Sequence, residues 1–320
     1  MANKTEDFIW ALFLHLGYRM WGDNRKGVKL PDLLFCDDAT WRAVIDRMAE
    51  VKMNMVLVDV GEGLILPSHP ELAVKGSWSP EKMQKEVARM RSLGIEAIPS
   101  LNFSTLHDAW LGDYQYMVST PEYYKVCSDV IRDVAEIFGR PRLFNIGMDE
   151  ESDTGLQELH DYVVKRQGAL YWHDISFYAD EIEKHGGRAW MFGDEAWFHH
   201  DEFYKNFQKR ILLSNWYYGR SFRVVEKPWQ TPRIRSYKEF DEHGFDQIPT
   251  GTIWYPDYLL KDKNIRANDV NFPLTVAHCR QVIAPERLKG FLMTHFCKTL
   301  PQNLDFIFHA IDLTAQCMVI

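Results

Sequence analysis

The chain has 320 residues, 46% of them hydrophobic, and a formal charge of −8 with no basic run anywhere. That length suits one α/β barrel of typically ~250 residues plus insertions, with a large core. The acidic balance argues against a nucleic acid or an anionic membrane surface as partner.

Five cysteines (Cys36, Cys127, Cys279, Cys297 and Cys317) are widely spaced and form no CxxC pair. This argues against a zinc knuckle or a disulfide framework. No run approaches the ~20 apolar residues that span a bilayer. The apolar stretch from Phe8 to Leu16 follows Glu6 and Asp7 and is not succeeded by a small-residue cleavage site. It therefore reads as a first strand, not as a signal peptide.

The first apolar run is Phe8 to Gly17, and a helix from about Thr40 to Lys52 follows, with Val44, Ile45 and Met48 on one face. Asn54 to Val60 is the second strand. The next helix, Ser79 to Leu93, carries a capping serine and a proline at its start and stops at Gly94. Ile95 to Leu101, a helix from Pro121 to Phe138, and Leu143 to Gly147 continue the alternation. A helical region from about Thr154 to His185 leads to the fifth run, Arg188 to Phe192, then to the helix His200 to Gln208 and the sixth run, Ile211 to Trp216. A helix near Ser236 to His243, a seventh run at Thr252 to Tyr255, a helix at Asn271 to Val282, an eighth run at Gly290 to Phe296 and a closing helix at Leu304 to Met318 complete the chain. Eight strands, each followed by a helix, imply parallel pairing and a closed (β/α)₈ TIM barrel. An open doubly wound sheet would show a glycine-rich phosphate loop after its first strand, and Gly17 to Gly22 is not one. With no linker or repeat, residues 1–320 read as one domain without an accessory domain.

Barrel enzymes carry their chemistry at the C-terminal ends of the strands. Those ends present Arg19; Asp59 and Glu62; Asn102 and His107; Asp149 and Glu150; Asp194 and Glu195; Trp216, Tyr217 and Tyr218; Trp254 and Asp257; and His295. Carboxylates with aromatics on one rim suit a carbohydrate: rings stack on sugar C–H faces, and acids and amides bond hydroxyls. The pair Asp149–Glu150 at a strand end is the type of arrangement in which one acid donates a proton and the other stabilises positive charge. No cofactor or metal is signalled, and the sequence does not speak to oligomeric state.

Three segments together resemble glycoside hydrolase family 20, the β-N-acetylhexosaminidases. Met48-Ala-Glu-Val-Lys-Met-Asn-Met-Val-Leu-Val-Asp59 resembles that family's approach to its second strand, and Gly94-Ile-Glu-Ala-Ile-Pro99 with the later His107 resembles its third. Phe144-Asn-Ile-Gly-Met-Asp-Glu150 resembles its H-I-G-G-D-E signature. The resemblance implies Glu150 as general acid and Asp149 as the group that orients the substrate's 2-acetamido nucleophile. It further implies Arg19 on sugar hydroxyls, Tyr217 or Tyr218 on the acetamide oxygen, and Glu62 as support for His107. The chain departs from the family at Asn145 and Met148 within the signature and at Gly193, where the family has a pocket-wall tryptophan. It departs again at Met293-Thr-His-Phe296, where the family has W-x-E.

Three other readings compete. A two-carboxylate glycosidase would use Asp194, Glu195 or Asp257 as second acid. A degenerate barrel would bind sugar without cutting it. A metal-dependent isomerase would gather Asp59, Glu150, Asp194, Asp257 and His295.

Overall fold

The computed structural model describes residues 8–19, 32–151, 165–224, 230–254 and 268–319. The apolar runs become β1 (Ile9–His15), β2 (Met55–Asp59), β3 (Glu96–Ser100), β4 (Leu143–Gly147), β5 (Arg188–Phe192), β6 (Leu212–Ser214), β7 (Thr250–Thr252) and β8 (Gly290–Thr294). Nearly every strand residue is buried. Continuous apolar runs, without polar alternation, are what strands covered on both faces require. All pairings are parallel, in the order β6-β5-β4-β3-β2-β1-β8-β7. The ring closes between β6 and β7: Ile248 N–H donates to Leu213 O at 2.8 Å and Thr250 N–H to Asn215 O at 2.9 Å. The result is a (β/α)₈ barrel.

The helices are α1 (Asp38–Glu50), α2 (Pro80–Ser92), α3 (Pro121–Ile137), α4 (Gly168–Lys184), α5 (Glu195–Phe198), α6 (His200–Asn206), α7 (Thr231–Glu242), α8 (Asn271–Val282) and α9 (Leu304–Met318). Their starts follow local chemistry. Asp37, Ser79 and Thr120 each accept a backbone N–H three residues on, and Pro80 and Pro121 occupy first-turn positions where no N–H is needed.

Strand alternation divides the core. Ile9, Ala11, Phe13, Met55, Leu57, Ile98 and their counterparts fill the barrel interior, while the intervening residues pack against the helices. Moving up the same inward rows, the next positions are polar: His15, Asp59, Ser100 and Asn145. The interior thus ends in a polar floor beneath the C-terminal rim.

Most strand and helix ends lie within about two residues of the sequence reading, and three elements depart further. β7 lies at 250–252, not 252–255, because its pairing with β8 sets Thr250 beside Leu292 and Thr252 beside Thr294. This leaves Trp254 beyond the strand. Helix α7 begins at Thr231, five residues earlier than read, with Pro232 in its first turn. The fourth helix starts at Gly168, and the preceding residues 154–164 lie outside the described set.

Candidate active site

β4 ends at Gly147, and the backbone then turns through left-handed geometry at Gly147 (φ 67°), Met148 (φ 68°) and Glu150 (φ 59°). L-residues rarely adopt that region, at a cost of about 1–2 kcal/mol each, so neighbouring bonds must hold the turn. Asn102, after β3, does most of this. Its Oδ1 accepts Met148 N–H at 3.1 Å and Ser104 N–H at 3.0 Å, and its Nδ2 donates to Asp149 Oδ1 at 2.7 Å. Trp110 Nε1 bonds the Asn102 carbonyl at 2.8 Å. The approach is so close that a Cβ at position 147 would overlap the Asn102 carboxamide, so the motif glycine is required by space as well as by φ. Asn145 completes the turn: its Oδ1 accepts Gly147 N–H at 3.0 Å and Ser100 Oγ–H at 2.9 Å.

This turn brings Asp149 and Glu150 to one imidazole. His107 Nε2 lies 3.2 Å from Glu150 Oε2 and 3.5 Å from Asp149 Oδ2, and the ring is buried. Asp194, just past β5, accepts Glu150 N–H through Oδ2 at 2.8 Å. The turn is anchored from behind by Glu151, whose carboxylate meets the wholly buried Arg166 at 2.6 Å and accepts Thr105 N–H at 3.1 Å. Arg166 also meets Asp174 at 3.1 Å, Tyr178 Oη at 2.8 Å and the Phe103 carbonyl at 2.5 Å.

Burial is the leading electrostatic cause here. It raises the Asp149 carboxyl above its ordinary range; His107 and the Asn102 amide oppose the rise, and the Glu150 charge adds to it. Asp194 is pushed up to about 7 by burial and by the Asp149 charge. Glu195 rises to about 8 through burial and its neighbour Asp194. The Tyr218 phenol, which bonds Thr294 and feels Asp149, is held well above its ordinary value by burial.

An aromatic wall follows the rim. Trp197 meets Trp216 at 4.7 Å between centroids, Trp216 stacks on Tyr218 at 5.0 Å, and Phe296 bridges Tyr218 and Trp254 at 5.8 and 5.7 Å. Arg233, in the first turn of α7, lies with its guanidinium 4.5 Å from the Trp197 ring and 5.5 Å from Trp216, within electrostatic reach of Asp194 and Glu150.

The remaining sequence candidates have other partners. Asp59 bonds His15 Nδ1 at 2.8 Å within the floor. Glu62 accepts the Tyr18 and Arg19 N–H groups at 2.8 and 3.1 Å, fixing the backbone after β1. The Arg19 side chain reaches Asp32 at 3.3 Å. Tyr217 turns into the helix layer, where Gln230 donates to its hydroxyl at 2.9 Å. Glu195 faces Lys165 and His199. His295, fully buried beside His15, is lowered to about 3 by burial. Asp257 falls outside the described residues. Among the described residues, no three His, Cys, Asp or Glu side chains converge in metal-holding geometry.

Sequence reasoning did not find Arg233, Glu151, Arg166 or His15. A usable signal existed for Arg233: the first turns of barrel helices share a rim with the strand ends, and Thr231-Pro232 marks such a turn.

No protein-family model matches the chain, and no curated protein matches it in sequence. Solved structures do match. A family 20 exo-β-N-acetylglucosaminidase from Vibrio harveyi, an inactive mutant, aligns with a TM-score of 0.63 at 14% identity, over 97% of this chain and 54% of that one. A β-N-acetylhexosaminidase from Bacteroides fragilis aligns at 0.63 and 14%, over 96% and 65%. A mutant Streptomyces plicatus β-hexosaminidase in complex with its product N-acetylglucosamine aligns at 0.62 and 14%, over 97% and 64%. The chain thus spans about half to two-thirds of the length of these proteins. At this identity the likeness is one of fold, and the fold is the barrel of the family 20 β-N-acetylhexosaminidases.

Proposed function

We propose that this chain is a glycosidase that hydrolyses a 2-acetamido sugar glycoside with retention of configuration, the substrate's own acetamide acting as nucleophile. The observation that carries this reading is the pairing of Asp149 and Glu150 about His107, with Asp149 fixed by Asn102. Neighbouring residues on a regular strand point to opposite faces, and the left-handed turn is what lets both acids serve one site. The similar solved barrels are named as hexosaminidases, one with N-acetylglucosamine bound; fold alone would not assign chemistry.

Glu150 gives its proton to the glycosidic oxygen as the bond to C1 breaks. The acetamide carbonyl oxygen closes on C1, forming a cationic oxazolinium, and Asp149 accepts the acetamide N–H and balances that charge. This substrate-assisted route replaces the enzyme nucleophile of the two-carboxylate scheme. Water then attacks C1 and passes a proton to the Glu150 carboxylate, and the acetamide is released. Tyr218, kept protonated by burial, is the phenol assigned in this reading to donate to the acetamide oxygen. The wall of Trp216, Tyr218 and Trp254 offers faces for the sugar.

The test is hydrolysis of aryl glycosides with and without a 2-acetamido group, by wild type and Glu150→Gln, with a chelator present. General-acid catalysis is worth ~10²–10⁴, so the variant should lose that factor on acetamido sugars. Turnover unchanged in Glu150→Gln would remove the assignment. Activity confined to sugars lacking the group would move the nucleophile to a second carboxylate, and chelator-sensitive activity would favour a metal-dependent enzyme.

A further inference from the structure

We propose that Asp194 is a positioning residue that acts through the Glu150 backbone, not a group that binds sugar. This rests on the reading of Glu150 as general acid. Glu150 sits in left-handed geometry, and the acceptor of its N–H is Asp194 Oδ2 at 2.8 Å. A backbone held against its preference needs such a bond. Asp194 comes from the end of β5 and so ties the acid turn to the neighbouring strand. Its side chain is 3% exposed, and Oδ1 is buried with no hydrogen-bond partner among the described residues. A sugar-binding carboxylate would present its oxygens to the mouth; this one offers one oxygen to the backbone and hides the other.

The groups that face Asp194 are Asp149 and Glu150 after β4, Glu195 on α5, Tyr171 on α4, Tyr218 after β6 and Arg233 on α7. Carboxylates outnumber cations in that set. An ionised Asp194 with an unbonded buried oxygen is the costly state, so the carboxyl holds a proton to about 7. A neutral Asp194 removes a second negative charge from beside Asp149. Asp194 thus fixes both the direction of Glu150 and the charge around it.

The experiment compares Asp194→Ala and Asp194→Asn with wild type in three readouts: hydrogen exchange at the Glu150 amide, kcat and KM on an aryl 2-acetamido glycoside, and the pH profile of kcat/KM. Asp194→Ala should speed Glu150 exchange at least tenfold and lower kcat 10- to 100-fold, with KM within threefold. Asp194→Asn keeps a neutral acceptor of the same shape. It should restore exchange to within threefold of wild type and kcat to within tenfold, and it should displace the alkaline limb of the profile. A KM rise of tenfold with kcat unchanged would show sugar binding and overturn the proposal. Wild-type exchange in Asp194→Ala would overturn it as well. Exchange needs no substrate. A wild type inert on every acetamido glycoside would therefore defeat the hydrolase reading, while exchange alone would still decide whether Asp194 holds Glu150.

Discussion

Replacing Arg166 by methionine removes a guanidinium with no exposed surface that serves two buried carboxylates. Its partners are Glu151 at 2.6 Å and Asp174 at 3.1 Å, and all three side chains are 0–1% exposed. Methionine fills a similar volume, so the cavity cost is small, and the main cost is the charge left behind. Removing one member of a buried pair costs about 3–5 kcal/mol because the survivor stays desolvated. Asp174 keeps the Ser119 and Tyr124 hydroxyls at 2.6 and 2.5 Å, whereas Glu151 keeps backbone N–H donors alone. Most of the loss therefore falls on Glu151, the residue next to the proposed acid. At roughly 2.1 cal/mol/K per residue of unfolding entropy, a chain of this length would lose about 4–8 °C in Tm. Urea unfolding of R166M, E151Q and the double variant forms the cycle. The double variant should be more stable than R166M alone, since it carries no orphaned charge. An R166M loss under about 1 kcal/mol, or a double variant showing the full sum of the two losses, would refute this account of the buried pair.

Gly147→Ala places a Cβ in the Asn102 carboxamide at φ 67°, so it should lower both Tm and turnover; a variant with wild-type kcat would show that Asn102 does not set the acid turn. Asp149→Asn should reduce hydrolysis of 2-acetamido substrates far more than of substrates lacking that group, and equal losses on both would remove the substrate-assisted step. Glu195 binds its proton to about 8 when folded and releases it near 4.5 when unfolded. A carboxyl raised in this way favours the folded state at low pH, and that favour is lost between those two values as pH rises. Each pH unit is worth ~1.4 kcal/mol; allowing for coupling to Asp194, Glu195→Gln should gain on the order of 2–3 kcal/mol over wild type at pH 9 relative to pH 4, by denaturant titration. A stability difference independent of pH would sink that reasoning.

The parts legible in the sequence were those fixed by local chemistry. β4 lies where its apolar run places it, because parallel strands covered on both sides have no alternation to confuse the period, and α2 and α3 start where their capping residues and prolines place them. β7 was not legible at its true position because Thr250-Gly-Thr252 is a weak strand former followed by the more apolar Ile253 and Trp254, and only its pairing with β8 fixes it. The position of Asp149 and Glu150 on the C-terminal rim was legible because the eight-strand alternation puts their segment at a strand end. The Asn102 clamp, the Glu151–Arg166 pair and the Asp194 bond were not legible. Each joins residues 15 to 47 positions apart, and nothing local in a lone asparagine or arginine says which carboxylate it will meet. Of the two tyrosines after β6, only the fold shows that Tyr218 faces the acids while Tyr217 enters the helix layer.

The departures from the family pattern also have a physical reading. A Cβ at Gly193 would stand 2.9 Å from Phe240 and 3.1 Å from Leu213, so position 193 backs onto the helix layer and has no room for a pocket-wall tryptophan. The aromatic surface comes instead from Trp197, four residues later, packed edge-on against Trp216 and covered by Arg233. Met148, in place of the second motif glycine, is 1% exposed despite its left-handed backbone, and its sulfur lies 3.9 Å from Arg166. A glycine there would relieve the strain but leave a gap beside the buried guanidinium. The side chain that strains the acid turn is thus the one that packs it against its anchor. Asp149 and Glu150 thus stand beside a wall built from different residues, with the Arg233 guanidinium close to both the rings and the carboxylates.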